Sequence, residues 1–70
     1  MLKKGIYRHY KGNLYELVDI ATHSETLEKM VVYRALYGDK DLWVRPIEMW
    51  DEDVVINGET VKRFTFTEQV

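Results

Sequence analysis

The feature that most constrains this fold is a series of short runs rich in Val, Ile, Tyr and Trp, which recur about every ten residues. Glycine, asparagine and aspartate separate the runs, and few stretches repeat apolar residues at the helical spacing of i, i+3, i+4 and i+7. Short apolar runs between turn residues are typical of the strands of an all-β barrel or sandwich. The runs predicted as strands cover residues 5–10, 14–21, 30–37, 42–47, 54–56 and 59–66.

The connections between these runs predict antiparallel pairing. Asn57 and Gly58 separate two β-rich runs, and this pair is a strong hairpin signal because both residues tolerate positive φ. Residues 22–29 are polar and are predicted to form a long hairpin loop, although a single helical turn would also fit there. Pro46 has no N–H, so it must end its strand or occupy an edge or a bulge.

The segment after the proline predicts one short turn of 3-10 helix near residues 48–52, where Met49 and Trp50 would plug an open end of the barrel. Together these elements predict a single SH3-like domain over residues 1–70, a small all-β barrel of five or six antiparallel strands. Curling the sheet into a barrel hides most of the strand edges. The alternative is a ubiquitin-like or other α+β fold, which would need a true helix in the polar loop.

The size of the chain limits how it can be stabilised. Seventy residues allow one domain with a thin core, which buries only about 60% of the surface of the unfolded chain. Cysteine is absent, which excludes disulfides and thiolate zinc sites, so aromatic packing and association with a second copy are the remaining aids. The first residues carry two lysines and no long apolar run, which predicts neither a signal peptide nor a membrane span. We therefore expect a soluble cytoplasmic protein.

The charge and the reactive side chains argue against nucleic-acid binding and catalysis. The formal net charge is −2 at pH 7, which is unfavourable for contact with phosphate backbones. His9 and His23 are the two histidines, and Ser24 beside His23 would point to the opposite side of an extended chain. His9, His23 and Glu25 could form a metal site, but structural roles are the preferred interpretation of the two histidines. The sequence contains no glycine-rich phosphate loop. We expect no enzyme activity, no cofactor and no metal.

Arginines set among aromatic residues are the best candidates for a binding surface. Side chains alternate along a strand, so Trp43 and Arg45 share one face and Val44 lies on the other with the neighbouring leucine and proline. The face of Val44 is the more apolar, so we predict that Val44 points into the core while Trp43 and Arg45 point outward. A guanidinium can stack on a ring and still direct N–H groups at a carboxylate or phosphate. The structural alternative is an exposed cross-strand stack or a salt bridge; the face of Arg34 stays open, because its run is apolar on both sides.

Five segments carry a family resemblance: YRHYKGNLYEL, HSET, VVYRALYG, LWVRPIEMW and NGETVKRF. Taken together, and in this order over nearly the whole chain, they resemble a bacterial family known only as domain of unknown function 1653. The resemblance implies a short bacterial domain, stand-alone or appended to others, with an SH3-like fold, no assigned activity and no catalytic residues to carry over. Trp50 and the Val61-Lys62 pair depart from the family pattern, which favours phenylalanine at the first place and proline before the arginine at the second.

The function predicted from these observations is that of a small non-catalytic binding module for a peptide or an anionic small ligand such as a nucleotide. The arginines would take the anion, a tryptophan and a tyrosine would stack on the ligand, and a histidine and a glutamate would orient it. The predicted binding surface is Tyr7, His9, His23, Glu25, Tyr33, Arg34, Trp43 and Arg45. The alternative is a homodimer or an accessory structural subunit that uses this surface for a protein contact, and nucleic-acid binding ranks third.

Overall fold

The computed structural model describes residues 2–69, which form seven strands and one short helix. The strands are β1 (Gly5–His9), β2 (Leu14–Thr22), β3 (Lys29–Ala35), β4 (Leu42–Pro46), β5 (Asp53–Ile56), β6 (Glu59–Lys62) and β7 (Phe64–Glu68), and the helix is α1 (Ile47–Trp50). Five strands form one antiparallel sheet in the order β4-β3-β2-β1-β7, and β5 pairs with β6 as a separate hairpin. No helical segment within these residues has the length and hydrophobicity of a membrane span. The domain is all-β, as the spacing of the apolar runs predicts.

A bulge in β2 changes which of its residues face the core. Leu17 pairs with Tyr33, but the next paired residue, Asp19, lies opposite Val32. The unpaired residue between Leu17 and Asp19 shifts the alternation by one position. The core-facing side therefore passes from Leu17 to Ile20, and both faces of this run carry apolar residues for that reason.

The core is an aromatic layer on one face of the five-stranded sheet, closed by Trp50 from α1. Trp50 is 1% exposed, and its indole stacks on Phe64 with the ring centroids 3.8 Å apart. Edge-to-face contacts join the same indole to Tyr7 at 5.3 Å and to Tyr33 at 5.0 Å. The predicted burial of Trp50 is confirmed, whereas Met49, predicted to be buried with it, is 46% exposed.

Hydrogen bonds of Glu52, just before β5, and Arg63, just after β6, fix the base of the β5–β6 hairpin against the sheet. Asn57 and Gly58 form its turn with φ of 51° and 81°, as the Asn-Gly pair predicts. The Arg63 guanidinium donates to the Glu52 carboxylate at 2.7 Å, and the Arg63 backbone N–H donates to the Glu52 carbonyl at 2.9 Å. The backbone N–H of Tyr10 donates to the Arg63 carbonyl at 2.9 Å. These bonds hold the chain between β6 and β7 against the end of β1.

Several details of the fold differ from the sequence-based expectation. The run at residues 59–66 is divided into β6 and β7 at Arg63, whose N–H still bonds to Glu52 beside the hairpin while its carbonyl accepts from Tyr10 after β1. The turn near residues 48–52 is an α-helical turn and not a 3-10 turn. Within residues 2–69 no strand pairing joins β4 to β7, so the predicted SH3-like barrel is not confirmed, whereas the all-β class is. The segment at residues 22–29 contains no helix, which removes the α+β alternative.

Candidate functional site

Trp43 and Arg45 lie on the same face of the sheet as the core. In the β3–β4 ladder Trp43 lies opposite the buried residue Tyr33. Arg45 lies opposite the buried residue Val31. Val44 is on the other face and is 62% exposed, so the prediction that it points inward is wrong. Because β4 is an edge strand, its register with β3, and not the apolar character of its own residues, decides which face joins the core.

The Arg45 guanidinium covers two rings at the rim of the core. Its Cζ atom lies 5.6 Å from the centroid of the Tyr33 ring and 5.5 Å from that of Phe64, which is a cation–π arrangement. No ion pair within residues 2–69 involves Arg45, whereas Arg63 is paired with Glu52 at 2.7 Å. Arg45 therefore keeps its planar set of N–H groups for a carboxylate or phosphate from outside the domain.

His9 lies against the same ring system. Its ring centroid is 5.0 Å from that of Phe64, and its Nδ1 accepts a hydrogen bond from the backbone N–H of Lys11 at 3.1 Å. Burial lowers the pKa of His9 below its ordinary value, and the positive charges of Arg63, Arg45 and Lys11 lower it further. The neutral form of the imidazole is thus favoured, and three positive charges oppose its protonation although the whole chain carries a net negative charge.

A tyrosine pair extends this surface toward the β3–β4 turn. The hydroxyl oxygens of Tyr15 and Tyr37 are 2.7 Å apart and share a hydrogen bond. Burial raises the pKa of Tyr15 to about 12, and the hydrogen bond to Tyr37 adds to the shift. Tyr15 also packs edge-on against Tyr33, with centroids 5.8 Å apart. Tyr37 and Trp43 border an open cavity of about 150 Å³ beside the turn.

These residues form one surface, which we call the aromatic–arginine face. Its members are His9, Tyr15, Tyr33, Tyr37, Trp43, Arg45 and Phe64. Tyr33 and Phe64 are its buried floor, and the exposed side chains of Tyr37 and Trp43 are its rim. The face combines a positive charge with accessible aromatic rings, which is a combination suited to a flat anionic group.

The sequence patterns predicted four members of this face and missed Tyr15, Tyr37 and Phe64. A signal for Tyr15 was present, because it shares a strand face with Leu17, which is fully buried. Phe64 lies opposite His9 because β7 pairs with β1, and no local pattern shows that contact between the two ends of the chain.

The structure separates the other predicted site residues from this face. Tyr7 belongs to the core at 5% exposure, and its hydroxyl donates to the Lys3 carbonyl at 2.7 Å. Arg34 lies on the opposite face of the sheet, where it pairs across the strands with Glu16. The Arg34 guanidinium donates to the Lys40 carbonyl at 2.8 Å, so it supports the β3–β4 turn.

His23 and Glu25 lie in the loop at the far end of β2. The Nδ1 atom of His23 accepts hydrogen bonds from the backbone N–H groups of Glu25 at 3.2 Å and Thr26 at 3.3 Å, so the imidazole organises its own turn. Between Tyr15 and Thr22 the strand extends over about 23 Å, which keeps this loop away from the aromatic–arginine face. Within residues 2–69 no three His, Cys, Asp or Glu residues lie close enough together to hold a metal ion.

Comparison with known proteins places the chain in a family. The profile of the family described as "Protein of unknown function (DUF1653)" matches residues 5–66. The crystal structure of a DUF1653 protein from Bordetella bronchiseptica has a TM-score of 0.89 to this domain at 34% sequence identity, and the alignment covers 99% of this chain and 91% of that one. No curated protein matches the sequence. The match over most of the sequence and over the whole fold shows that the chain belongs to the DUF1653 family of proteins of unknown function.

Proposed function

We propose that the domain is a small non-catalytic binding module whose aromatic–arginine face takes an anionic ligand. The observation that carries the proposal is the state of Arg45, whose guanidinium lies on two aromatic rings and makes no ion pair within the described residues. A guanidinium in cation–π contact with two rings has lost part of its mobility before any ligand arrives, so less conformational entropy is lost on binding.

The rim of the face supports a ligand that is flat as well as anionic. Trp43 is 53% exposed and Tyr37 is 47% exposed, and both lie beside the open cavity at the β3–β4 turn. An aromatic ring or a peptide plane of the ligand would stack there while its phosphate or carboxylate bonds to Arg45. A nucleotide and an acidic peptide with an aromatic residue share this chemistry.

The proposal treats the sheet as the open form of an SH3-like barrel. This assignment is supported by the antiparallel order of the five strands and by the helical turn between β4 and β5. In such a barrel the core side chains fill the concave face of the sheet. A ligand would therefore bind at the rim of the core and not in a deep pocket.

The test is an NMR titration of the labelled protein with adenosine triphosphate and, separately, with a short peptide that contains aspartate and tyrosine. We expect shift changes to cluster at Trp43, Arg45 and His9. The Arg45→Gln variant should bind at least about tenfold more weakly, since a hydrogen bond to a charged group contributes about 1.5–3 kcal/mol. Arg45→Lys should lose less, because it keeps the charge but not the planar fork.

Arg8→Gln is the matched control, because Arg8 is an exposed arginine of β1 that lies on the opposite face of the same sheet from Tyr7 and His9. It should bind like the wild type. Equal loss in Arg8→Gln and Arg45→Gln, or the absence of clustered shifts at millimolar ligand, would contradict the proposal. The two ligands also separate the two sources of the anion, since only the one that matches the face should saturate.

A further inference from the structure

Of the two edge strands of the five-stranded sheet, β4 is the one that exposes large apolar side chains. It pairs with β3 on one side, and within the described residues it has no strand on its other side. Natural edge strands are usually blocked by lysine, proline, bulges or short length, because a free edge templates pairing with another chain. In β4 such protection begins only at Arg45 and Pro46.

Hydrogen-bonded and non-hydrogen-bonded residue pairs alternate along β3 and β4, and this alternation decides which backbone N–H and C=O groups of β4 are free. The N–H of Leu36 donates to the Leu14 carbonyl in β2 at 3.0 Å, while the N–H of Ala35 donates to the Asp41 carbonyl just before β4 at 3.4 Å. Even-numbered residues of β3 therefore bond to β2, and odd-numbered ones bond to β4. Pro46, which has no N–H, lies opposite the even-numbered Met30, where the ladder needs no bond from it.

It follows that the N–H and C=O groups of Leu42 and Val44 point to the open side of the sheet. Trp43, between them, directs its own backbone groups at β3 through its partner Tyr33. The three side chains are also exposed, at 53% for Leu42, 53% for Trp43 and 62% for Val44. Free backbone groups thus coincide with three consecutive apolar side chains.

We propose that β4 pairs edge to edge with β4 of a second copy of this chain, antiparallel, about a two-fold axis at Trp43. In this register Leu42 of each copy faces Val44 of the other, and both pairs exchange N–H···O=C hydrogen bonds, four in all. The two Trp43 residues face each other as a closely spaced pair without hydrogen bonds. A register centred on Val44 is poorer, because it would place the Leu42 carbonyl opposite Pro46, which has no donor.

The charges at the ends of the pairing fit a second copy. In this register a residue before Trp43 pairs with the residue of the other copy that is equally far after Trp43. Asp41 of each copy therefore faces Arg45 of the other, which gives two such pairs. If the strand alternation continues to Asp41, both lie on the face of Trp43, and neither is in an ion pair within residues 2–69. The next pair in this register would be Lys40 with Pro46 of the other copy. Lys40 has φ of 56° and is outside the strand, so the pairing ends before that position. The same edge is therefore complementary to itself in hydrogen bonding and in charge.

This pairing and the proposed function can be tested apart, although both involve Arg45. A short edge contact is below the standard interface size, so we expect a reversible dimer over a concentration range of about 10 µM to 1 mM. Val44→Lys would block the edge on the side away from Arg45, and anion binding can be measured on that monomeric variant. Failure of the dimer then leaves the binding measurement intact, and the reverse is also true.

The first experiment is sedimentation across dilution, with wild type, Val44→Lys and Val55→Lys. Val55 is a matched control, because it is an exposed strand valine (69%) on the β5–β6 hairpin and not on β4. We expect wild type and Val55→Lys to show the same concentration-dependent dimer, and Val44→Lys to weaken it at least tenfold. A wild type that stays monomeric up to about 1 mM, or a loss in Val55→Lys alone, would overturn the proposal.

The second experiment tests the register by cross-linking. The chain has no cysteine, so a single introduced cysteine can react only with its counterpart in another copy. In the proposed register two Trp43→Cys residues have Cα atoms about 4.5 Å apart, within disulfide range, while two Val44→Cys residues are about 7–8 Å apart, beyond it. Trp43→Cys should form the disulfide at least tenfold faster than Val44→Cys, with Val55→Cys as the collision control. Equal rates, or faster reaction of Val44→Cys, would rule out this register.

Discussion

The imidazole of His9 is a probe of the charge beside the aromatic–arginine face. Burial lowers its pKa, and the positive charges of Arg63, Arg45 and Lys11 each oppose protonation of the imidazole. Within residues 2–69 no carboxylate forms an ion pair with the ring, and its Nδ1 accepts a hydrogen bond from a backbone N–H. Any change in the charge at Arg45 must therefore appear in the titration of His9.

We expect Arg45→Gln to raise the pKa of His9 toward its ordinary value, while Arg45→Lys leaves it close to that of the wild type. A bound anion should act like the loss of the Arg45 charge and also raise it. The measurement is the pH titration of the imidazole NMR signals in each variant. A pKa of His9 that does not move in Arg45→Gln would show that the two side chains are not electrostatically connected.

The lowered pKa of His9 also makes the free energy of unfolding depend on pH in a direction that can be predicted. A base whose folded-state pKa is lowered binds fewer protons than it does in the unfolded chain, where its pKa is about 6.5. His9 therefore makes the free energy of unfolding fall as the pH drops through that value, until the folded-state pKa is passed. Replacement of His9 by glutamine should remove this part of the pH dependence, as followed by urea unfolding between about pH 5 and pH 8.

At the scale of the elements, local sequence predicted the positions of the strands better than their faces. The Asn57–Gly58 hairpin follows from backbone preferences of two neighbouring residues, so local sequence is sufficient there. In β2 the bulge after Leu17 changes the alternation in the middle of the strand, and no residue type marks it. Apolar character also misassigned Val44, because an edge strand can expose apolar side chains that pairing with another chain would cover.

The candidate site was predictable only in part for the same reason. Trp43 and Arg45 are close in sequence, so any account of the strand puts them on one face. His23 was grouped with them by its chemistry, but the length of β2 keeps it at the other end of the domain. The contact of His9 with Phe64 depends on the β1–β7 pairing, which joins strands from the two ends of the chain in one sheet.

Gly5 at the start of β1 lies where a side chain would disturb the pairing of β1 with β7. It has φ of 146°, and a Cβ atom placed there would collide with the Glu68 carbonyl of β7. Gly12 is the matched control, because its φ of 106° is also positive but, apart from its chain neighbours, no heavy atom of residues 2–69 lies within 4 Å of its Cβ position. We expect Gly5→Ala to destabilise the domain by about 2–4 kcal/mol and Gly12→Ala by about 1 kcal/mol, because both suffer the strained φ but only Gly5→Ala must also displace β7.

The check is urea unfolding of both variants together with amide hydrogen exchange along β7. Faster exchange in β7 is expected in Gly5→Ala alone. If the two alanines cost the same free energy, strain at positive φ would account for the whole effect and the close approach to Glu68 would contribute nothing.

For the whole molecule, the aromatic layer serves both as core and as the base of the proposed binding face. Phe64 stacks on Trp50 on one side and lies under Arg45 on the other, so one ring joins the two regions. A domain of seventy residues has few other apolar contacts to rely on. Its total stability should therefore depend on a few rings, and binding at the rim should add to it by mass action.

Trp50 tests that dependence, with Trp43 as a control in the same chain. Trp50 is 1% exposed and Trp43 is 53% exposed, so Trp50→Ala should cost about 3–5 kcal/mol and Trp43→Ala less than about 1 kcal/mol. A domain of this size has a free energy of unfolding of only about 4–10 kcal/mol, so Trp50→Ala should be largely unfolded well below the melting temperature of the wild type. Trp50→Phe should lose about 1–2 kcal/mol, because the smaller ring keeps the stack on Phe64 and removes the buried indole N–H, which has no hydrogen-bond partner within residues 2–69. Circular dichroism during urea unfolding measures all three variants, and equal losses for Trp50→Ala and Trp43→Ala would mean that the domain is held together by its strand pairing and not by its aromatic layer.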